Sequence, residues 1–167
     1  MIEETDYLQT LGISALGTRL RRLFESLNVA VSQLYRDELG FEQRWFALTR
    51  LLDDRGALSV QHCANALGVS HVSILQTSKA MEDASLLQRA KSNEDKRVSL
   101  ISLTNEGKAV AARVQKISDQ VDRAATELLG QHAPEFLIGL THLEDALRQL
   151  SFSERLKAAA KVGKKHV

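Results

Sequence analysis

The chain has 167 residues, 44% of them hydrophobic and 26% charged, enough apolar material for one packed domain or one domain with an arm, and too little for two large independent ones. A formal charge of +1 excludes a bulk basic excess, so any nucleic-acid contact rests on where the charges sit. The one cysteine, Cys63, excludes a disulfide within the chain, and an N-terminus with Glu3, Glu4 and Asp6 does not read as a signal peptide or membrane span; a cytoplasmic protein is expected.

One proline and few aromatics, set against many Leu, Ala, Arg, Glu and Gln, favour helix, because these side chains lose little rotamer freedom there. From Ser14 to Leu39, Leu16, Leu20, Leu23, Leu27, Val31 and Leu34 recur at helical spacing, which predicts a long amphipathic helix. Gly40 permits a turn, and Trp45, Leu48, Leu51 and Leu52 predict a second helix that stops at Gly56. Ala57 and Leu58 remain as a short extended link. Ser59 is placed to cap a short helix with Val60, Cys63, Ala64 and Leu67 inward, ended by Gly68. Ser70 caps the next, which runs to Ala84 with Ile74, Thr77, Ser78 and Met81 inward. Two short helices joined by a tight glycine-containing turn form a helix-turn-helix.

Leu86 to Lys91 and Val98 to Leu103 alternate as strands around the polar segment Ser92 to Arg97, which predicts a β-hairpin. Thr104 and Gly107 open a helical stretch reaching about Leu129, and after a break at Gly130 to Pro134 a further helix carries Phe136, Leu137, Leu140, Leu143 and Leu147 on one side. Beyond Ser151, Arg155, Lys157, Lys161, Lys164 and Lys165 stand against the single acid Glu154, as a basic helix extension or arm.

ALSVQHCANALGVS, a helix ending in AMEDASLLQRA, and SNEDKRVSLISLTNEGK together resemble the MarR family of bacterial regulators, closely from Phe41 to Lys108. The family's Asp-x-Arg wing motif stands here as Asp95-Lys96-Arg97, and its Leu-Thr-x-x-Gly signature as Leu103, Thr104 and Gly107. LGTRLRRLFESL with FEQRWFAL also resembles a subgroup fused to a GCN5-type acetyltransferase; the regulator half is taken as complete here, with no catalysis expected. Gln76 stands where the family often has arginine, and Ser85 where it usually has a turn glycine.

The resemblance implies a mainly α fold with a small β-hairpin wing, a winged helix-turn-helix lobe at 41–103, dimerisation helices at 14–39 and 104–150, and a basic extension at 151–167. It implies a homodimer on double-stranded DNA with an inverted-repeat operator, without a membrane or cofactor. Rotation by about 100° per residue turns Val72, Gln76 and Lys79 outward on the second motif helix, flanked by Ser73 and Leu75. Gln76 suits paired hydrogen bonds to adenine, and Val72 and Leu75 suit thymine methyl groups. Ser70 and His71 at the helix N-terminus favour a phosphate. In the wing, the resemblance implies that Asp95 orients Arg97 toward the minor groove, with Lys96, Arg89 and Lys91 on phosphates.

Tyr35, Phe41, Trp45 and His62 are candidates to line a crevice for a small aromatic effector, the alternative for each ring being the core. Cys63 occupies an inward position and reads as a small hydrophobe rather than a redox sensor. His62, His71, His132, His142 and His166 lack metal-ligand spacing, and no phosphate loop or nucleophile motif is present. A second reading is a MarR-like interaction module that regulates a partner enzyme with little DNA affinity.

Overall fold

The computed structural model describes residues 6–92 and 95–163. Asn93 and Glu94 of the wing turn, and Lys164, Lys165 and His166 of the tail, lie outside the described residues. In chain order the elements are α1 (Tyr7–Thr10), α2 (Leu16–Leu39), α3 (Phe46–Arg55), β1 (Leu58–Ser59), α4 (Val60–Leu67), α5 (His71–Asp83), β2 (Leu87–Lys91), β3 (Ser99–Leu103), α6 (Asn105–His132), α7 (Phe136–Gln149) and α8 (Phe152–Gly163). The chain divides into two compact units, Met1–Gln120 and Val121–Val167, with the boundary inside α6.

In the first unit, Asp6 caps α1 through the Leu8 N–H, and its carboxylate pairs with Arg22 on α2, which holds the Asp6 carboxyl below its ordinary range. The first long helix begins at Leu16 rather than Ser14, because Gly12–Ala15 wind as a 3-10 turn. It ends where Gly40 adopts φ 60°, a left-handed cap that glycine takes without steric cost. A 3-10 turn at Gln43–Trp45 shifts the start of α3 to Phe46.

The link at Leu58 is a strand. β1 pairs with β3, Leu58 opposite Ile101, which makes the wing hairpin a three-stranded antiparallel sheet in the order β1-β3-β2. Ser59 and Ser70 cap α4 and α5 through the amides of His62 and Ser73, and Gly68 ends α4 at φ 65°. The core of this unit joins Leu48, Cys63, Met81, Ile101 and Val114, all essentially without exposure. Tyr35 is buried, and its hydroxyl donates to Ser118 on α6 at 3.1 Å while Ser118 donates to the Val114 carbonyl. Arg113 of α6 donates to the Glu38 carbonyl at 2.9 Å, satisfying one of the last carbonyls of α2.

α6 has 28 residues, about 42 Å at 1.5 Å per residue, and runs through Gly130 instead of breaking there. Gly130 lies in the last turn of the helix, where a glycine costs at most about 1 kcal/mol. In the second unit, α7 buries none of its residues and exposes Phe136, Leu137, Ile138, Leu140, Leu143 and Leu147. The extension after Ser151 is helical: Ser151 and Glu154 form a reciprocal capping box, with Glu154 accepting from the Ser151 N–H at 3.0 Å and Ser151 accepting from the Glu154 N–H at 3.3 Å. Arg155 turns back onto the end of α7, donating to the carbonyls of Ala146 at 2.8 Å and Leu150 at 3.1 Å.

Candidate nucleic-acid interface

The turn between α4 and α5 sets the exposed face of the motif. Ile74, Ser78 and Met81 of α5 are buried, so Ser70, His71, Val72, Ser73, Leu75, Gln76 and Lys79 all face outward. Val72 is 60% exposed and Leu75 40%, a presentation of apolar side chains that suits contact with base methyl groups. Lys79 is bonded to Asp83 one helical turn on at 2.9 Å, and that partner raises its pKa. A phosphate must therefore compete with Asp83 for this ammonium group.

In the wing, Asp95 acts on the backbone. Its carboxylate accepts from the Arg97 N–H at 2.9 Å, and the Val98 N–H donates to the Asp95 carbonyl at 2.9 Å, which fixes the turn. The Arg97 guanidinium is exposed and has no partner among the described residues. Lys91 and Lys96 are exposed beside it. Asp95 thus holds Arg97 through the main chain, and its carboxylate does not pair with the guanidinium.

Arg89 is placed differently from its neighbours. Alternation along β2 puts it on the face of buried Leu87, and its Nε pairs with Glu82 on α5. Its Nη2 donates to Ser78 at 2.8 Å, and the Ser78 hydroxyl donates to the Leu75 carbonyl at 3.1 Å.

The wing's root is fixed by the Leu-Thr-x-x-Gly segment. Thr104 donates its hydroxyl to the Ser85 carbonyl at 2.8 Å and accepts from the Gly107 N–H at 2.9 Å, so one side chain caps α6 and ties it to the turn before β2. Gly107 lies so close to that turn that a Cβ would fall 2.1 Å from the Leu86 carbonyl oxygen. Ser85 holds φ 61°, the left-handed conformation for which glycine is the usual residue. None of these backbone contacts follows from helical periodicity; the Thr-x-x-Gly spacing was the available signal.

Of the four crevice candidates, three come together. Tyr35 and Phe41 meet at a tilt of 52° with a ring separation of 5.6 Å, and Phe41 meets Trp45 edge-on at 5.5 Å. All three are buried, and Phe41 also lines a groove of about 800 Å³ with Phe24, Asn28, Arg36, Arg44 and Phe46. The Trp45 indole N–H and the Thr49 hydroxyl are buried without a hydrogen-bond partner among the described residues. His62 is apart from the rings, exposed on α4 with Nδ1 2.9 Å from the Ser59 hydroxyl. Cys63 is fully buried, and burial pushes its thiol pKa up. The described residues hold no cluster of three metal-ligating side chains, and none of the described helices is long and apolar enough to cross a membrane.

A helix-turn-helix whose second helix presents an exposed face, followed by a sheet with a cationic tip, defines a winged helix-turn-helix protein. Residues 42–99 match the family described as "MarR family". No curated protein matches the chain. Among solved structures, the repressor CouR bound to a 23-mer DNA duplex is similar at 24% identity and a TM-score of 0.66, covering 78% of this chain and 92% of that one. BpsR of Bordetella bronchiseptica, described with regulation of its DNA binding by 6-hydroxynicotinic acid, is similar at 21% identity and a TM-score of 0.64, covering 81% and 92%. NadR in complex with 4-hydroxyphenylacetate is similar at 23% identity and a TM-score of 0.56, covering 82% and 92%. At these identities the likeness is one of fold.

Proposed function

We propose that the chain is a sequence-specific, DNA-binding transcription regulator that acts as a homodimer on an inverted repeat, responds to a small aromatic effector and performs no catalysis. The observation that carries this reading is the pairing of an exposed, partly apolar α5 face with an exposed Arg97 in the wing whose guanidinium has no partner among the described residues. α5 reads base edges in the major groove, with Gln76 on adenine and Val72 and Leu75 on thymine methyl groups. Arg97 enters the adjacent minor groove, where narrow A·T tracts concentrate negative potential. Ser70, His71, Lys91 and Lys96 lie on phosphates. CouR's DNA complex supports the same use of the fold.

The apolar face of α2, with Leu16, Leu20, Leu23, Phe24 and Leu27 each more than two-fifths exposed, calls for cover, and so, in its own unit, does that of α7. A second copy supplies it with two-fold symmetry, which spaces two α5 helices about one DNA turn apart. The groove between α2 and the start of α3 suits an aromatic acid: Phe24 offers an exposed ring and Phe46 a half-buried one, and Arg36 and Arg44 offer charge for a carboxylate. The ligands named with BpsR and NadR are of this class. The site of action is cytoplasmic DNA.

An Arg97→Ala titration tests the reading, by fluorescence anisotropy over a salt series on a duplex selected from a random-sequence pool. Loss of affinity together with a salt slope shallower by about 0.9 is expected; an unchanged slope and affinity remove the wing from the mechanism.

A further inference from the structure

We infer that Arg89 is a positioning residue: it locks the wing to the recognition helix through Glu82 and Ser78, sets the angle at which the two enter their grooves, and makes no phosphate contact. The inference rests on the DNA-binding reading above and goes beyond it by giving a wing cation a role other than charge neutralisation.

The geometry is that of a clamp. Glu82 and Ser78 lie one helical turn apart on α5, and Arg89 spans both from the middle of β2, with Nε on the carboxylate and Nη2 on the hydroxyl. Ser78 is fully buried, accepting from Arg89 and donating to the Leu75 carbonyl. The Glu82 side chain is 24% exposed and that of Arg89 33%, so the pair sits where solvent screens it less than an open surface pair. The hydrogen bond to Ser78 sets the orientation of the planar guanidinium, while Glu82, whose Oε1 is buried and makes no hydrogen bond among the described residues, holds its position by charge alone.

Charge points the same way. Arg89 is matched by Glu82 and Lys79 by Asp83, so both cations that α5 and the middle of β2 bring together are balanced within the lobe. Lys91, Lys96 and Arg97, farther out on the wing, are exposed. Releasing Arg89 to a phosphate would leave Glu82 facing the DNA without its partner. The side chain that bridges the reader in the major groove and the reader in the minor groove is thereby kept off the DNA.

The test uses the full chain, a labelled duplex selected from a random-sequence pool and an unselected duplex of the same length. Variants are Arg89→Gln, Arg89→Lys, Glu82→Gln and the double variant Glu82→Gln/Arg89→Gln. A mis-set wing forfeits contacts worth at least one base pair, so each single variant is expected to lose about tenfold or more in preference for the selected duplex. The salt slope on the unselected duplex is expected to stay at the wild-type value, and the double variant to be no worse than Arg89→Gln. Arg89→Lys keeps the charge and loses the fork, so it is expected to fall with Arg89→Gln. A slope shallower by about 0.9 in Arg89→Gln, with Arg89→Lys and Glu82→Gln like wild type, would identify a phosphate contact and overturn the inference. Unchanged preference in all variants overturns it equally. A wild-type protein that prefers no duplex overturns the DNA reading itself. In that case Tm values of the same four variants still decide the clamp: additive losses refute it, and a double variant no less stable than the worse single supports it.

Discussion

Replacing Gly107 by alanine should separate the wing from α6. The new Cβ would lie 2.1 Å from the Leu86 carbonyl oxygen, 3.1 Å from its carbon and 3.3 Å from Leu103 Cδ2. Reaching even the 3.0 Å floor of real Cβ contacts requires about 0.9 Å of backbone movement, the difference between 3.0 and 2.1 Å. That movement acts on the Thr104 N–H bond to the same Leu86 carbonyl at 3.0 Å, and on both Thr104 hydroxyl bonds. Overpacking costs about 1–3 kcal/mol and a weakened cap about 1 more, while alanine's better helix propensity returns at most about 1. The net loss is about 1–3 kcal/mol, which for a chain of this size lowers Tm by roughly 2–12 °C. Thermal unfolding followed by circular dichroism measures it, and Gly130→Ala supplies the control. Gly130 lies in the same helix with open space where its Cβ would be, so the same substitution should stabilise by up to about 1 kcal/mol. A Gly107→Ala protein that melts within about a degree of wild type would refute the close-approach argument.

Other substitutions probe the same lobe. Ser85→Gly removes a left-handed non-glycine residue and should raise stability by about 1 kcal/mol, visible as a higher midpoint in urea; a lower midpoint would show that Ser85 makes a contact worth more than its strain. Cys63 should resist iodoacetamide at pH 8 in the folded protein and react fully in denaturant, because burial raises its pKa and keeps it a thiol. The sign follows for stability: a folded-state pKa above the unfolded one leaves stability intact below the unfolded pKa and removes it as pH rises toward the folded value, so Cys63→Ala should flatten the alkaline loss.

Much of this architecture is written in side-chain periodicity. Of the two inward stripes, Val60, Cys63 and Ala64 and then Ile74, Ser78 and Met81 are buried as their spacing demands, whereas Leu67 and Thr77 are only half-buried, and the outward face of α5 follows from the same rotation. Elements shorter than one period leave no such trace: Leu58–Ser59 is a strand only because β3 offers it an edge. Glycine misleads in both directions, ending a helix at Gly40 and Gly68 and passing unnoticed through α6 at Gly130. The Ser151-x-x-Glu154 box that starts α8 was legible as a cap, and the charges beyond it masked that signal.

At the site, residue types were readable where their partners were not. Alternation from Leu87 already directs Arg89 inward, but that Glu82 and Ser78 await it depends on how α5 packs against β2. The Lys79–Asp83 pair lay in plain i,i+4 spacing. The roles of Asp95 and Thr104 are main-chain contacts, set by turn geometry that hydrophobic patterning does not encode.

The central claim, sequence-specific binding by a two-fold dimer, is met most directly by selection from a random-sequence duplex pool with the purified wild-type protein, repeated at raised salt. The account predicts enrichment of an A·T-containing inverted repeat whose half-sites are about 10 base pairs apart and whose selection survives the higher salt. A selected pool indistinguishable from the starting one would contradict it.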